Sequence, residues 1–564
     1  MISVSGKTWT QQKVNKNLVE KVKQDYGFSD ILSQLIISRK YDLSEIYGIK
    51  NKQKITNLFK DDYDYQKASA LLFETIRNNE NICILGDYDV DGVCATSILI
   101  RYFNHINQKH FFYIPDRAND GYGPSKKLFK KLLLKQPKLI IMVDCGSTAN
   151  EAIDYLNQNN VKSIIIDHHE INKPYPRSNV IINPKKNSSN LEKSFLCATS
   201  LTYFFIDFLI KKSKSNFKLS NLLIYVLLAT VCDVMPLRKI NKIIAQNTID
   251  DFNLKNNIPL KYIFNQFNLK KKISVDDLGF LIGPIINSGG RLNCSNYAVD
   301  LLSTDNEEII KERADKLIIL NNKRKEIEQT ILSKIDFEKI KKENKNIIIY
   351  YQNNLNEGLI GIIAARLKDY FNKPTIVITK SNNILKASAR STPSFNIGIL
   401  IKLLIDKNII DKGGGHNMAA GFSMKKNKLK LLDDFIQNEY LKKTPHLNES
   451  NKYDIELSAS ALNIKFLKDI NKLGPFGNFN FSPIFLIKNV KITKSQIVKN
   501  KHISAIIKPK IGSSIKAICF NCINTNIGEH LLNNKNNINI IGQIYENFWN
   551  NKKSISLNII DLNL

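Results

Sequence analysis

Residues 84–92 read ILGDYDVDG, and the turn this stretch makes from apolar to acidic decides the fold. Ile84 and Leu85, preceded by Ile82 and Cys83, form a short continuous apolar run of the kind that fits a strand buried on both faces, and Gly92 sits where the next helix opens. Between them Asp87, Asp89 and Asp91 fall at alternate positions. The same grammar recurs downstream. LIIMVDCGS (139–147) puts Asp144 at the end of its run, KSIIIDHHE (162–170) delivers Asp167, His168 and His169, NVIIN (179–183) adds another run, and VLLATVCDVMP (226–236) ends on Asp233. Apolar runs alternating with helical segments predict an α/β fold with a parallel sheet covered on both faces. Ligands of such sheets gather beyond the carboxyl ends of the strands, so all four acid-bearing ends are expected to face one crevice.

Desolvated carboxylates with no matching bases nearby repel one another, and such a cluster is stable only where cations neutralise it. Oxygen-rich ligands with one or two imidazoles and no thiolate suit Mn²⁺ or Mg²⁺ better than zinc, and this many acids can hold two ions that share a carboxylate. Two such ions can activate a water and stabilise the leaving oxygen of a phosphodiester. A single acid at a strand end is usually a cap or turn residue; four coincident ends favour a metal centre. Asp167 is expected to stand behind the site, orienting the imidazoles that follow it.

The 564 residues are enough for about three domains. Lys and Arg number 82 against 52 Asp and Glu, a net charge of +30 that would attract a polyanion, nucleic acid first among them. A drift toward Lys, Ile and Asn would give the same charge with no partner. MISVSGKTWTQQK (1–13) lacks the apolar core of a signal peptide, and the longest apolar stretch, near Leu222 to Cys232, is far short of the ~20 residues a membrane span needs. A soluble cytoplasmic chain is expected. The eight cysteines read as reduced packing residues, including the one CxxC, Cys519 to Cys522. SGKT (5–8) is no phosphate loop, having neither the upstream glycine nor a preceding strand.

Residues 304–344 contain no Gly or Pro and space Ile310, Ala314, Leu317, Ile318 and Leu320 at near-helical intervals, predicting one long helix, or two, as a connector. NIIIYY (346–351), GLIGIIAARLKDYF (358–371), PTIVIT (374–379) and ILKASAR (384–390) restart an α/β rhythm that closes on glycines 413–415. After the polar break TPHLNESNK (444–452) come five strand-like runs: PIFLIKNVKI, HISAIIK, SSIKAICF, INIIGQIY and KSISLNII. Five short strands in about a hundred residues suit a small OB-like β-barrel. The expected boundaries are an N-terminal helical segment 1–50, a catalytic domain 51–303, the connector 304–344, a second, smaller α/β domain 345–445 and the barrel 446–564.

DYDVDG, VDCG, DHH and CDVMPL, in this order, resemble the four metal motifs of the DHH phosphoesterase superfamily, whose members combine a DHH domain with a DHHA1 domain. The resemblance covers the chain from about residue 30 onward and implies metal ligation by Asp89, Asp91, Asp144, His168 and Asp233. Asp87 and His169 match motif positions that imply phosphate or water contacts as readily as ligation. IPDRANDGYG (114–123) resembles the segment holding a phosphate-binding arginine, here Arg117, and INSGGRLN (286–293) supplies Arg291 near the scissile phosphate. KASARS (386–391) and GGGHNMAAG (413–421) resemble DHHA1 substrate motifs, implying that Ser388 and Arg390 bind a terminal 5′-phosphate and that Gly414 and His416 line the same groove. Guanidinium forks match phosphate oxygens, and glycine-rich turns let backbone N–H groups approach anions. Ala389 departs from the family pattern, which has a glycine there. Phe476, Phe479 and Phe481 of LGPFGNFNFSP (473–483), with Phe548 and Trp549, are candidates for base stacking or for the barrel core.

Expected from the resemblance is a processive 5′ to 3′ exonuclease of recombination and repair, releasing 5′-mononucleotides from single-stranded DNA with two Mn²⁺ or Mg²⁺ ions. Its partners would be single-stranded DNA, with a single-strand-binding protein and a helicase as candidates, and its state a monomer. The alternatives are a DHH phosphodiesterase of oligoribonucleotides or cyclic dinucleotides, which the C-terminal barrel argues against, and a non-catalytic nucleic-acid scaffold, which would have lost carboxylates.

Overall fold

The computed structural model describes residues 1–116, 120–121, 123–186, 191–269, 272–292, 294–381, 384–443, 451–533, 537–549 and 552–564, with the side chains of residues 441, 443, 548, 549 and 552 outside that description. The chain forms two compact units. One comprises Thr56–Met235 and Asp251–Leu447; the other comprises Met1–Ile55, Pro236–Asp250 and Asn448–Leu564. The segment 236–250 therefore leaves the linear range drawn from the sequence and joins the two termini.

In the first unit, β1 (Ile82–Gly86), β2 (His110–Tyr113), β3 (Leu139–Val143), β4 (Lys162–Ile166) and β5 (Val180–Ile182) make a parallel sheet in the order β2-β1-β3-β4-β5. Every residue of β1 and β3 is buried, as their uninterrupted apolar sequences require. Within this sheet, edge strand β2 escaped the sequence reading; its HFFY is half-buried throughout and lacks a continuous aliphatic run. Helix α1 (Val90–His105) follows β1 and packs on α2 (Ala198–Ser213) and α3 (Leu223–Cys232).

Asp233 therefore stands at the C-cap of helix α3, not at the end of a strand as the sequence suggested. A run such as IYVLLATVC carries no period that separates a wholly buried helix from a buried strand, and ten residues at 1.5 Å each reach the crevice as well as a strand does.

Helix α4 (Gly283–Arg291) precedes a connector that is two helices, α5 (Glu307–Ser333) and α6 (Phe337–Glu343). The break is set by Asp336, whose side chain accepts from Lys339 N–H and starts α6. Ile310, Ala314 and Leu317 are buried along α5. Beyond it, β6 (Ile348–Tyr351), helix α7 (Ile360–Phe371), β7 (Thr375–Ser381), β8 (Ile384–Arg390), β9 (Lys412–Gly415) and β10 (Ala419–Met424) follow. The sheet order is β9-β10-β8-β7-β6, parallel between β6 and β7 and antiparallel elsewhere.

The second unit holds a closed barrel of β11 (Phe485–Val498), β12 (His502–Pro509), β13 (Ile515–Cys519), β14 (Asn537–Trp549) and β15 (Lys552–Asn563), closed by pairing of β11 with β14. These strands are the five runs read from the sequence. Cys519 and Cys522 are buried in the barrel core. The N-terminus is tied to the last strand: the buried Asp561 carboxylate accepts from Ser3 Oγ (2.6 Å), Ser5 Oγ (2.5 Å) and Trp9 Nε1 (2.9 Å). Phe476 packs against the barrel core while Phe479 and Phe481 are exposed; the side chains of Phe548 and Trp549 lie outside the described residues. No described helix is long and apolar enough to cross a membrane.

Candidate metal centre

The parallel sheet delivers its acids from the carboxyl ends of β1, β3 and β4, and α3 delivers Asp233 from the side. Asp87 follows β1 directly. Asp89 is the N-cap of α1, accepting from Asp91 N–H (3.0 Å) and Gly92 N–H (3.2 Å). Gly92 is required by close approach: a Cβ there would meet the Asp87 backbone at 2.5 Å. Asp91, in the first turn of α1, is held by the N-terminus of α2, its two oxygens accepting from Ala198 N–H and Thr199 N–H at 2.7 Å each. Asp144 adopts a left-handed backbone, φ 61°.

These groups converge. His168 Nε2 lies 3.6 Å from Asp91 Oδ2, 3.4 Å from Asp144 Oδ1 and 3.4 Å from Asp233 Oδ2, and His169 Nδ1 lies 3.7 Å from Asp144 Oδ1. Three ligand triads result: Asp87, Asp89 and Asp144; Asp144, His168 and His169; Asp91, His168 and Asp233. Asp144 and His168 each belong to two of them, so the donors suit adjacent cations sharing a carboxylate.

Electrostatics points the same way. Burial first, then the charges of Asp89, Asp91, Asp87 and Asp233, push the Asp144 carboxyl well above its ordinary range. Asp233 is raised by burial and by Asp91 and Asp89, and Asp89 by burial and Asp91. Burial lowers His168 to about 4 against the pull of Asp91. Both oxygens of Asp144 and both ring nitrogens of His168 are buried without a hydrogen-bond partner among the described residues. Four such orphaned polar atoms, at least three of them with a lone pair to offer, beside repelling carboxylates fit a divalent cation.

The thiols do not compete. Cys145 and Cys232 neighbour Asp144 and Asp233 in sequence, but their sulfurs face the Leu85 and Leu278 carbonyls at 3.8 Å and burial keeps both protonated. The remaining donors, carboxylate and imidazole, favour Mn²⁺ or Mg²⁺ over zinc.

Asp167 holds this edge together, accepting from Ser147 N–H (3.0 Å), His168 N–H (2.8 Å) and His169 N–H (3.1 Å). It also pairs with His169 Nδ1 at 2.8 Å. Burial opposes both charges, yet this bond carries His169 up to about 9 and Asp167 well below the usual carboxylate range.

The expected phosphate residues gather in two places. His416, beside β9, lays its ring nearly parallel to that of His169, 6.3 Å away, and Gly414 is exposed two residues before it. Arg291 ends α4 and donates through Nη1 to Gly358 O (3.0 Å), while its neighbour Gly290 backs onto the Tyr88 carbonyl so closely that a Cβ would come within 2.6 Å. Arg390 Nη1 donates to Ser388 Oγ (3.2 Å), and the first turn of α7 faces that pair at Gly361. Ala389 is an ordinary buried strand residue facing Ile376 and Ala420. Arg117 lies outside the described residues. The sequence reading missed the α2 amides that hold Asp91, together with Asn183 and Lys185, because nothing in their residue types marks them without the sheet order.

Three family models match the chain: the DHH family N-terminal domain over residues 81–230, the DHHA1 domain over 344–442 and the RecJ OB domain over 453–561. Along its length the chain is similar to the single-stranded-DNA-specific exonuclease RecJ of Bacillus subtilis, 27% identical over 98% of this chain and 70% of that protein. It is also similar to RecJ of Haemophilus influenzae, 28% identical over 82% of this chain and 85% of that protein. Its fold matches the crystal structure of Thermus thermophilus RecJ in complex with Mn²⁺, with a TM-score of 0.83 at 19% identity over 99% of this chain and 79% of that one.

Proposed function

We propose that the chain is a single-stranded-DNA-specific exonuclease that hydrolyses phosphodiester bonds from the 5′ end with two divalent cations, Mn²⁺ or Mg²⁺. The observation that carries this is the meeting of Asp87, Asp89, Asp91, Asp144, His168 and Asp233 at one crevice with Asp144 and His168 left unsatisfied. RecJ relatives spanning most of the chain support the substrate.

Asp89, Asp91, Asp144, His168 and Asp233 would hold the ions, Asp144 belonging to two of the candidate ligand groups. When bound, the ions would supply an activated water and stabilise the charge that develops on the leaving 3′-oxygen. The protein's own groups do the rest. The α2 amides and Asp167 fix Asp91 and the imidazoles, so the donors need no rearrangement when substrate arrives. His169, charged through its bond to Asp167, presents a proton to a phosphate oxygen. Arg291 balances charge at or next to the scissile group, and Ser388 with Arg390 takes the 5′-phosphate, which sets polarity. His416 and Gly414 line the path of the strand, as would Arg117.

The test is digestion of 5′-labelled and 3′-labelled single strands, with Mn²⁺ and with chelator. Immediate release of the 5′ label as mononucleotide, abolished by chelator, is expected. Loss of the 3′ label first, or undiminished activity in chelator, would overturn the proposal; preference for dinucleotides over long strands would favour a small-substrate phosphodiesterase.

A further inference from the structure

Strand β5 runs beside β4, so its continuation through Asn183 and Lys185 lies next to the histidine pair. The buried Asn183 side chain fixes that neighbourhood. Its Nδ2 donates to His169 O (2.9 Å) and Ser147 Oγ (2.8 Å), and its Oδ1 accepts from Lys185 N–H (2.9 Å). One carboxamide thus ties the backbone of residue 185 to that of His169.

The Lys185 ammonium pairs with Glu170 Oε1 at 2.9 Å. The lysine side chain is 26% exposed and the glutamate 62%, so the stem is directed by packing while the pair sits in water. Such a pair stabilises folding little and can open for a better anion. Glu170 follows His169 directly in the chain, and the His416 ring lies 6.3 Å from that of His169. The ammonium is therefore held on the sheet edge beside the histidine pair.

We infer that Lys185 is a strand-binding residue, its ammonium leaving Glu170 to take a backbone phosphate adjacent to the scissile one. This rests on the exonuclease reading, and it adds a cation from the sheet side to the arginines already named.

The experiment is steady-state hydrolysis of single-stranded oligonucleotides with Mn²⁺ by wild type, Lys185→Gln, Lys185→Arg and Glu170→Gln. The substrates are charged throughout or carry one neutral methylphosphonate linkage, moved stepwise from the 5′ end. Lys185→Gln is expected to raise KM about tenfold with little change in kcat and to flatten the salt dependence of kcat/KM by about 0.7 in log–log slope. Arginine restores KM, and Glu170→Gln leaves KM equal or lower. At one linkage near the cut, neutralisation costs the wild type and Lys185→Arg a similar factor but costs Lys185→Gln nothing more. An unchanged KM and salt slope in Lys185→Gln overturns the inference. If that variant does not fold, the scan decides alone: no neighbouring linkage whose neutralisation harms wild type and Lys185→Arg overturns it too. A wild type inert on single strands sinks the exonuclease reading instead, so the two failures are distinct.

Discussion

At Asp144 the chain accepts a left-handed backbone, φ 61°, and at Val234, beside Asp233, it does so again with a β-branched residue, φ 55°. Left-handed backbone costs an L-residue about 1–2 kcal/mol, and such strain collects where a side chain must be aimed. Val234 closes α3 in a Schellman turn, with Met235 N–H on Thr230 O (3.0 Å), a place where glycine is usual. Since Val234 is 62% exposed, Val234→Gly removes strain without opening the core. The variant is expected to gain about 0.5–1 kcal/mol in denaturant unfolding after the entropy cost of glycine, and a lowered midpoint would contradict the strain. Asp144→Asn separates fold from function more sharply. Removing one of several mutually repelling buried acids should raise the melting temperature in chelator, while activity falls by more than the ~10- to 100-fold that outer-shell partners cost. Unchanged turnover would remove Asp144 from the centre. Residue identity alone pointed to these acids, because carboxylates at the ends of buried runs, with no matching bases nearby, persist only where cations neutralise them. It could not point to Lys185 or Asn183, common surface types until β5 is placed beside β4.

Elements were legible where their period was unambiguous. The five barrel runs alternate or bulge in ways only strands allow, and the connector's spacing is helical, so both emerged from pattern. The run before Asp233 is apolar at almost every position and emerged as a strand when it is α3, because only tertiary packing separates the two. The helix Lys239–Asp251 escaped for the same kind of reason: its partners come from both ends of the chain. Within that unit its Lys242 lies 4.5 Å over the Tyr41 ring and 3.3 Å from the Tyr41 hydroxyl, beside Arg238 paired with Glu45. Burial lowers the Lys242 amine to about 8, with Glu45 opposing and Arg238 and Arg39 adding to the depression. Its folded pKa is below the unfolded one, so the stability it contributes is full above about 10, and is lost as pH falls through about 8. Tyr41, pushed up to about 12 by burial, works above that window. Lys242→Met should therefore stabilise the protein at pH 7 by about 1–3 kcal/mol and abolish the rise in stability between about pH 8 and 10. Denaturant midpoints across that range test it; a methionine variant less stable at pH 7 would mean the ammonium is well solvated.

For the whole molecule the net charge of +30 and the carboxylate centre pull in opposite directions, one attracting a polyanion over long range and the other repelling it until cations are bound. Holding the strand and cutting it should therefore be separable. Each phosphate neutralised by Lys or Arg contributes about 0.7 to the log–log salt slope for a single strand, so a handful of contacts predicts a loss of about 10- to 100-fold in affinity between roughly 50 and 200 mM salt. Asp144→Asn keeps every cation and loses a negative charge at the crevice, so fluorescence anisotropy with labelled single strands should give it the wild-type salt slope and an affinity equal or higher, while hydrolysis stops. Wild type in chelator, with the acids left unneutralised, should bind more weakly than Asp144→Asn in chelator. If Asp144→Asn instead lost its affinity along with its activity, the strand would be held chiefly through the ions, and the basic surface would be a compositional drift with no part in binding.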